Sequence, residues 1–196
     1  MDSVRSDAAP PQALKILIAG GFGAGKTTMV GAVSEISPLR TEEVLTTAGM
    51  ETDDTTGVDE KLTTTVAMDF GRITISPSLV LYLFGTPGQN RFWFLWDELA
   101  TGALGAVVIA DTRRLADSFA AIDYFEQRGT PFVVAVNCFD SEQLYTETQV
   151  REALDIDGHV PVLLCDARDR VSVKNVLITL VEHVLVRVRA AVPAGG

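Results

Sequence analysis

The feature that most constrains the fold is a glycine-rich segment between a short apolar run and a helix-like stretch. Its residues are Gly20, Gly21, Phe22, Gly23, Ala24, Gly25, Lys26, Thr27 and Thr28, a full match to the pattern G-x-x-x-x-G-K-[ST]. Glycines let the backbone curl into a nest whose N–H groups point at phosphate oxygens, while Lys26 reaches the terminal phosphates and Thr27 offers a hydroxyl to Mg²⁺. The pattern therefore predicts a binding site for a nucleoside triphosphate.

The sequence on either side of this phosphate loop supports that interpretation. Residues 14–19 are apolar enough to form a buried strand, and residues 27–35 can continue as a helix. The positive N-terminal end of such a helix faces a bound anion. The alternative, a glycine-rich turn that binds no ligand, does not account for a strand before the loop and a helix after it.

The overall charge restricts the kinds of partner. The chain has 16 Lys and Arg residues against 26 Asp and Glu residues, which gives a net charge of −10. This balance opposes non-specific binding to nucleic acid and to anionic membrane surfaces, so we expect no nucleic-acid partner. Any affinity for phosphate must therefore be local to the phosphate loop.

Cysteine content and the absence of targeting motifs predict a cytoplasmic protein. Cys138 and Cys165 are too few for a disulfide framework or a four-ligand zinc site, which favours a reducing compartment. The N-terminal residues lack an apolar signal core, and no stretch has the length of uncharged apolar sequence that a membrane-spanning helix needs. Neither terminus carries a lipidation motif.

The rest of the chain alternates strand-like and helix-like segments. Strands are predicted at residues 64–75, 79–84, 106–110, 132–136 and 162–165, the first two forming a hairpin through Ser76-Pro77-Ser78, and helices at residues 115–127, 147–154 and 171–190. This alternation is typical of a doubly wound, mainly parallel α/β sheet, which binds ligands at the carboxyl ends of its strands. We expect one domain over residues 13–190, with disordered tails at residues 1–12 and 191–196.

A long polar stretch, Arg40 to Leu62, follows the phosphate-loop helix. It is rich in Thr, Asp, Glu and Gly and poor in large apolar residues, so it predicts a long, mobile loop. Loops of this length in a compact domain are usually functional or disordered.

A second candidate segment is the turn at residues 84–89, which ends the hairpin. In GTP hydrolysis, a glycine at such a position donates its backbone N–H to the γ-phosphate, and an adjacent glutamine orients the attacking water. Gly88 and Gln89 are the candidates for these two functions. The alternative is a Pro-Gly turn that only reverses the chain direction.

Two further fragments each follow a β-branched run, and they resemble the guanine-recognition motifs N-K-x-D and S-A-K of small GTPases. The first contains Asn137 and Asp140, and the second contains Asp166, Ala167 and Arg168. A carboxylate at Asp140 can accept hydrogen bonds from both N1–H and the exocyclic amine of guanine, a pair of donors that adenine lacks. Asp140 is therefore predicted to select guanine.

The order and spacing of these motifs resemble the Ras-like superfamily over nearly the whole chain. The Thr86-Pro87-Gly88-Gln89 sequence and residues 64–70 are most similar to bacterial Ras-like GTPases, above all the GTPases of actinobacterial conservon operons, and also the gliding-motility switch MglA. This resemblance implies a three-layer P-loop NTPase fold, with a mixed six-stranded sheet, mainly parallel with one antiparallel edge strand, and about five helices. It also implies GTP, GDP and Mg²⁺ as ligands. The implied partners are a roadblock-type protein and a sensor-kinase-like protein, through which the chain would be peripheral to the membrane.

The resemblance further implies two switch segments. Residues 40–62 would be switch I, and Thr65 is its best match for the threonine that senses Mg²⁺ and the γ-phosphate, with Thr63 and Thr64 as rivals. Residues 85–99 would be switch II, with aromatic residues Phe92, Trp93, Phe94 and Trp96 divided between the core and a partner-binding surface.

Several positions depart from the Ras-like pattern. Phe22 stands where glycine is common, and its ring could obstruct an arginine finger or the water beside Gln89, so slow hydrolysis is expected. Gly85 stands where many relatives have the aspartate that holds Mg²⁺ through water, and Asp69 on the preceding strand is a possible substitute. Cys138 replaces the lysine that braces the phosphate loop, which predicts a lower guanine affinity.

The sequence therefore predicts a GTPase that hydrolyses GTP slowly and signals through its switch loops. Two other functions remain open: a catalytically impaired, nucleotide-binding interaction module, and an adenine-specific P-loop ATPase. The cluster Asp111-Thr112-Arg113-Arg114 is expected to cap the next helix, with supply of an arginine to a phosphate or a partner as the alternative.

Overall fold

The computed structural model describes residues 10–37, 39–46, 63–88, 93–139 and 144–191. Its strands are β1 (Gln12–Gly20), β2 (Leu39–Thr46), β3 (Thr63–Ser76), β4 (Leu79–Gly85), β5 (Gly105–Ala110), β6 (Phe132–Asn137) and β7 (Val162–Cys165). Its α-helices are α1 (Lys26–Val33), α2 (Trp93–Ala100), α3 (Phe119–Gln127), α4 (Glu147–Ala153) and α5 (Arg170–Ala191), and a 3-10 helix covers Thr112–Ser118. The strands form one sheet in the order β2-β3-β4-β1-β5-β6-β7.

The centre of the sheet is buried on both faces because its strands are continuous apolar runs. In β1, Ile16 and Ile18 face a core completed by α1 and α5, while Leu17 and Ala19 face a second core completed by α2, α3 and α4. Parallel strands that are covered on both faces typically have such continuous apolar sequences. The predicted three-layer P-loop fold is confirmed, and all five α-helices lie in the described ranges.

The hairpin is also confirmed, but the edge of the sheet differs from the prediction. β3 runs antiparallel to β4 and to β2, so it is the single reversed strand, as expected. It is not the edge strand, however, because β2 pairs with its outer side from Leu39↔Phe70 to Thr46↔Thr63. The prediction of a mobile loop is therefore wrong for residues 40–46, which belong to β2, the seventh strand of the sheet. Pairing with β3 satisfies the backbone groups of a segment whose polar composition alone indicates a loop.

One predicted helix is divided. Residues 115–127 were expected as a single helix, whereas the α-helix begins at Phe119 and is preceded by the 3-10 helix. The 3-10 helix is also interrupted at Arg114, one residue before the predicted helix, where φ of −145° and ψ of 52° are not helical. The periodicity of the apolar residues predicts the helical face but not this local change of backbone direction.

The first described strand, β1, begins at Gln12, and the last described helix, α5, ends at Ala191. Residues 1–9 and 192–196, where disordered tails were expected, lie outside the described residues. Within the described ranges, no helix combines the length and the apolar character needed to cross a bilayer.

Candidate nucleotide-binding site

The phosphate loop connects β1 to α1 at the carboxyl edge of the sheet. Gly25 immediately precedes α1 with φ 115° and ψ 14°, and no side chain caps the helix. The first N–H groups of α1 are thus not bonded by a capping side chain and can receive an anion. Gly20 has φ 138°, and a Cβ there would lie 2.4 Å from the carbonyl oxygen of Ile109. This close approach of β1 to β5 requires glycine.

Lys26 folds back over the loop. Its Nζ donates to the carbonyl oxygens of Gly20 at 2.8 Å and Gly21 at 2.7 Å. Burial lowers the pKa of Lys26 to about 8, and the nearby carboxylate of Asp69 partly opposes this shift. The ammonium group is therefore held inside the loop, where it has lost much of its hydration and can bind a polyphosphate strongly.

Thr27 is hydrogen-bonded to a carboxylate from the hairpin. Its Oγ1 lies 2.6 Å from Oδ2 of Asp69. Asp69 is in β3, directly opposite Gly85 in β4. A Cβ at Gly85 would lie 3.0 Å from the Cβ of Asp69, so the glycine leaves the space that the aspartate side chain occupies. The structure thus places Asp69, the possible substitute that the sequence suggested, beside the predicted metal-binding hydroxyl.

The turn after β4 covers the phosphate loop. A Cβ at Gly88 would lie 2.7 Å from Nζ of Lys26 and 3.0 Å from the backbone nitrogen of Phe22. Phe22 itself is 68% exposed. The backbone of Gly88 thus lies beside Lys26 and the phosphate loop, whereas Gln89 lies outside the described residues.

Asn137 joins three loops at the end of β6. Its side chain is buried, with an amide Nδ2 that donates to the carbonyl of Ala24 at 3.0 Å and an Oδ1 that accepts the backbone N–H of Ala167 at 3.0 Å. The asparagine thereby fixes the loop after β7 against the phosphate loop. Asp140, the predicted guanine-selecting residue, lies outside the described residues.

The loop after β7 is held by its own charges. Arg168 donates through Nε and Nη2 to the two carboxylate oxygens of Asp166, at 3.0 and 2.9 Å. These bonds lower the pKa of Asp166. The predicted base-binding residues Asp166, Ala167 and Arg168 thus lie in one loop, whose central N–H is fixed by Asn137.

Thr65 is not brought to the phosphate loop. It lies within β3 opposite Val44, four residues along the strand from Asp69, a separation of about 13 Å at strand geometry. Its assignment as a metal-binding switch threonine stays a prediction, and it requires the first part of β3 to move.

The two cysteines lie on neighbouring chain segments, and the pKa of each thiol is raised. The backbone N–H of Cys138 donates to the carbonyl of Cys165 at 2.7 Å. Burial raises the pKa of both thiols, that of Cys165 to about 12. Both side chains therefore remain neutral near pH 7 and behave as small apolar residues.

The segment after β5 has a contact that sequence reasoning missed. As expected, Asp111 caps the 3-10 helix by accepting the backbone N–H of Arg113 at 2.9 Å. The guanidinium of Arg113 also binds Asp111 and stacks 3.7 Å from the ring centre of Phe139. Arg114 instead reaches the phosphate loop, where its Nη2 donates to the carbonyl of Phe22 at 2.8 Å. The sequence feature that could have indicated this contact is the second arginine, Arg114, which follows β5 at the same edge of the sheet as the phosphate loop.

Comparison with known proteins identifies the family. The sequence profile of the family described as "Conserved hypothetical ATP binding protein" matches residues 18–187. The chain belongs to this family. It is also similar to the uncharacterized protein MJ1339 of Methanocaldococcus jannaschii, with 26% identity over 129 residues, covering 65% of this chain and 71% of that protein.

Solved structures place the fold among G domains. The G domain of the T. maritima FeoB iron transporter has a TM-score of 0.59 at 17% identity, covering 88% of this chain and 99% of its own. The FeoB G domain of Methanococcus jannaschii has a TM-score of 0.57 at 13% identity, covering 89% and 99%. At these identities the likeness shows the fold alone. The closer relationship to conservon GTPases and MglA stays a prediction.

Proposed function

We propose that this protein binds GTP and GDP together with Mg²⁺, hydrolyses GTP slowly, and acts as a switch whose state depends on the bound nucleotide. The observation that carries the proposal is the position of Asn137 between the phosphate loop and the loop after β7. In the proposed complex, the phosphate loop would bind the phosphates and the loop after β7, held beside it by Asn137, would border the purine. Such a combination is what a nucleoside di- or triphosphate needs.

The choice of guanine rests on Asp140. Asp140 follows Asn137 by three residues in the sequence, as in the guanine-recognition motif that the chain resembles, and it lies outside the described residues. Its carboxylate would accept from two adjacent donors that guanine presents and adenine does not. The family description names ATP, and it supports the rival proposal of an adenine-specific ATPase. One related FeoB cytosolic domain was solved in a GDP form, which supports guanine. We favour guanine because the carboxylate gives a chemical reason for the choice.

The residues present fit a magnesium ion. Mg²⁺ prefers hard oxygen ligands and is usually held by a hydroxyl or one or two carboxylates together with substrate phosphates. Thr27 would supply the hydroxyl, and Asp69 would hold the ion from the second shell of ligands, in place of the aspartate missing at Gly85. When bound, the ion neutralises charge that develops on the phosphates. Lys26 and the loop amides bind and orient the phosphates independently.

Slow hydrolysis follows from the surroundings of Phe22. The backbone of Phe22 lies against the turn that carries Gly88, and its side chain is exposed. We expect this ring to obstruct the water that Gln89 would orient or the entry of an activating arginine. We expect Phe22→Gly to raise the single-turnover rate of GTP hydrolysis, with Phe22→Ala as a second variant. Rates no faster than wild type for both variants contradict this explanation.

The proposed switch acts through partner proteins. The resemblance to conservon GTPases supports a roadblock-type protein and a sensor-kinase-like protein as partners, with association at the membrane through them. The alternative is a nucleotide-binding interaction module that does not hydrolyse GTP, supported by the departures at Phe22, Gly85 and Cys138. Phosphate release measured with and without a roadblock-type partner distinguishes a switch from an inert module.

Base selection is tested by titrating the protein with fluorescent GDP, GTP and ATP. We expect binding of both guanine nucleotides and much weaker binding of ATP. Asp140→Asn replaces an acceptor by a donor, so it should lower affinity for guanine and favour xanthine, which has a carbonyl in place of the exocyclic amine. Comparable binding of ATP and GTP by the wild type removes the guanine assignment and supports the adenine-specific rival.

A further inference from the structure

We propose that Arg114 is a positioning residue that turns the backbone amide of Gly23 toward the bound nucleotide. The inference rests on the proposed nucleotide binding. Nη2 of Arg114 donates to the carbonyl oxygen of Phe22 at 2.8 Å, and the same atom lies 3.1 Å from where a Cβ of Gly23 would be. The guanidinium therefore contacts both residues of a single peptide unit in the phosphate loop.

The geometry of that peptide unit explains the consequence. In a trans peptide, the C=O and the N–H of one plane point in opposite directions, and the described residues contain no cis peptide bonds. Arg114 binds the Phe22 carbonyl from outside the loop. The N–H of Gly23 therefore points away from Arg114, and in the proposed complex it donates to a phosphate oxygen.

A second side chain holds the loop in the same way. Nδ2 of Asn137 donates to the carbonyl of Ala24, which turns the N–H of Gly25 away from Asn137. One side chain from the 3-10 helix and one from the end of β6 thus bind the carbonyls of Phe22 and Ala24 in the phosphate loop. Arg114 differs because it is charged: a cation on a carbonyl polarises the peptide and strengthens its N–H as a donor.

The segment that carries Arg114 is shaped for this contact. The non-helical backbone at Arg114 breaks the 3-10 helix and separates its side chain from Arg113, which is bound to Asp111. Three residues later, the Cβ of Asp117 lies 2.6 Å from where a Cβ of Gly21 would be. The segment therefore lies against the outer side of the phosphate loop at two glycines.

The test compares the release of a fluorescent GDP analogue from the wild type and from three variants. We expect Arg114→Ala to speed release by about tenfold, the value of one charge-assisted hydrogen bond at an exposed site. Arg114→Lys keeps a cationic donor and should recover most of the loss. The matched control is Arg187→Ala, because Arg187 also donates to the carbonyl of a glycine, Gly129 at 3.4 Å, at the opposite end of β6. This control should release the nucleotide at the wild-type rate.

A spectroscopic readout separates positioning from a general loss of stability. In the GDP complex, the Gly23 amide proton should shift downfield relative to the nucleotide-free protein, and Arg114→Ala should reduce that shift. Unchanged release and an unchanged Gly23 shift in Arg114→Ala overturn the proposal while leaving nucleotide binding intact. If the wild type binds no nucleotide, the proposed function itself fails.

Discussion

Many Ras-like proteins have, at the position of Gly85, an aspartate that holds Mg²⁺ through water. Exchanging the aspartate between β3 and β4 tests whether Asp69 replaces it. The two residues are directly opposite in β3 and β4, and Asp69 accepts the hydroxyl of Thr27 at 2.6 Å. Asp69→Ala should remove that bond, which is worth about 1.5 to 3 kcal/mol because one partner is charged. Loss of such an outer ligand typically lowers metal affinity by about 10- to 100-fold.

Gly85→Asp alone should be destabilising. Its Cβ would lie 3.0 Å from the Cβ of Asp69, and two carboxylates about 5 Å apart repel by about 3 kcal/mol at an effective dielectric constant of about 20. In the double variant, Asp69→Ala removes both the crowding and the repulsion. The double variant should therefore be more stable than Gly85→Asp alone, and it should restore a carboxylate near Thr27.

The assay is the rate of GDP release in magnesium and in excess chelator. Magnesium should slow release from the wild type, from the double variant and from the control Asp123→Ala, which removes an exposed carboxylate on α3. It should have much less effect on Asp69→Ala. The reasoning is refuted if Asp69→Ala keeps the full magnesium effect, or if Gly85→Asp is as stable as the double variant in urea.

Three other predictions follow from the same site. Because Lys26 has a pKa of about 8, against an ordinary value of 10.5, nucleotide affinity measured by fluorescence titration should fall as the pH rises above about 8. In the same pH range, the nucleotide-free protein should become more stable toward urea, because Lys26 keeps its proton to a higher pH in the unfolded chain than in the folded protein. A Lys26→Met variant should lose the pH dependence of both affinity and stability. Asn137→Ala leaves the Ala24 carbonyl and the Ala167 N–H without their hydrogen-bond partner. This loss should lower the free energy of unfolding by about 2 to 4 kcal/mol. An unchanged melting temperature would contradict a stabilising function of the Asn137 bridge. Gly88→Ala places a Cβ 2.7 Å from Nζ of Lys26. The rate of GTP hydrolysis should fall by about 100-fold, while GDP still binds. An equal loss of GDP binding would show that the turn supports the whole phosphate loop.

The sequence predicts the central part of this structure well because local pattern and tertiary environment agree there. The apolar runs of β1 and β6 are buried on both faces, and the phosphate-loop motif dictates its own backbone. The polar composition of β2 gives no such signal. That strand exists because the long β3 offers it a partner, and pairing between segments distant in sequence is not visible in either one alone.

Contacts across the site were harder to predict. Asp69 could be suggested from its residue type, but only the β3–β4 register shows that it faces the glycine of the opposite strand and reaches Thr27. Arg114 follows a strand like many helix-capping residues. One unusual backbone conformation directs its side chain to the phosphate loop, and no periodicity encodes that conformation.

The bridge made by Asn137 has a thermodynamic consequence for the whole domain. It joins the loops after β1, β6 and β7 at the proposed nucleotide site, so a nucleotide that binds only the folded protein would add to the free energy of unfolding. At a ligand concentration of about 1,000 times Kd, this gain is about 4 kcal/mol. Globular domains are stable by only about 5 to 15 kcal/mol in total. The lifetime of the protein against proteolysis should therefore follow the supply of its ligand.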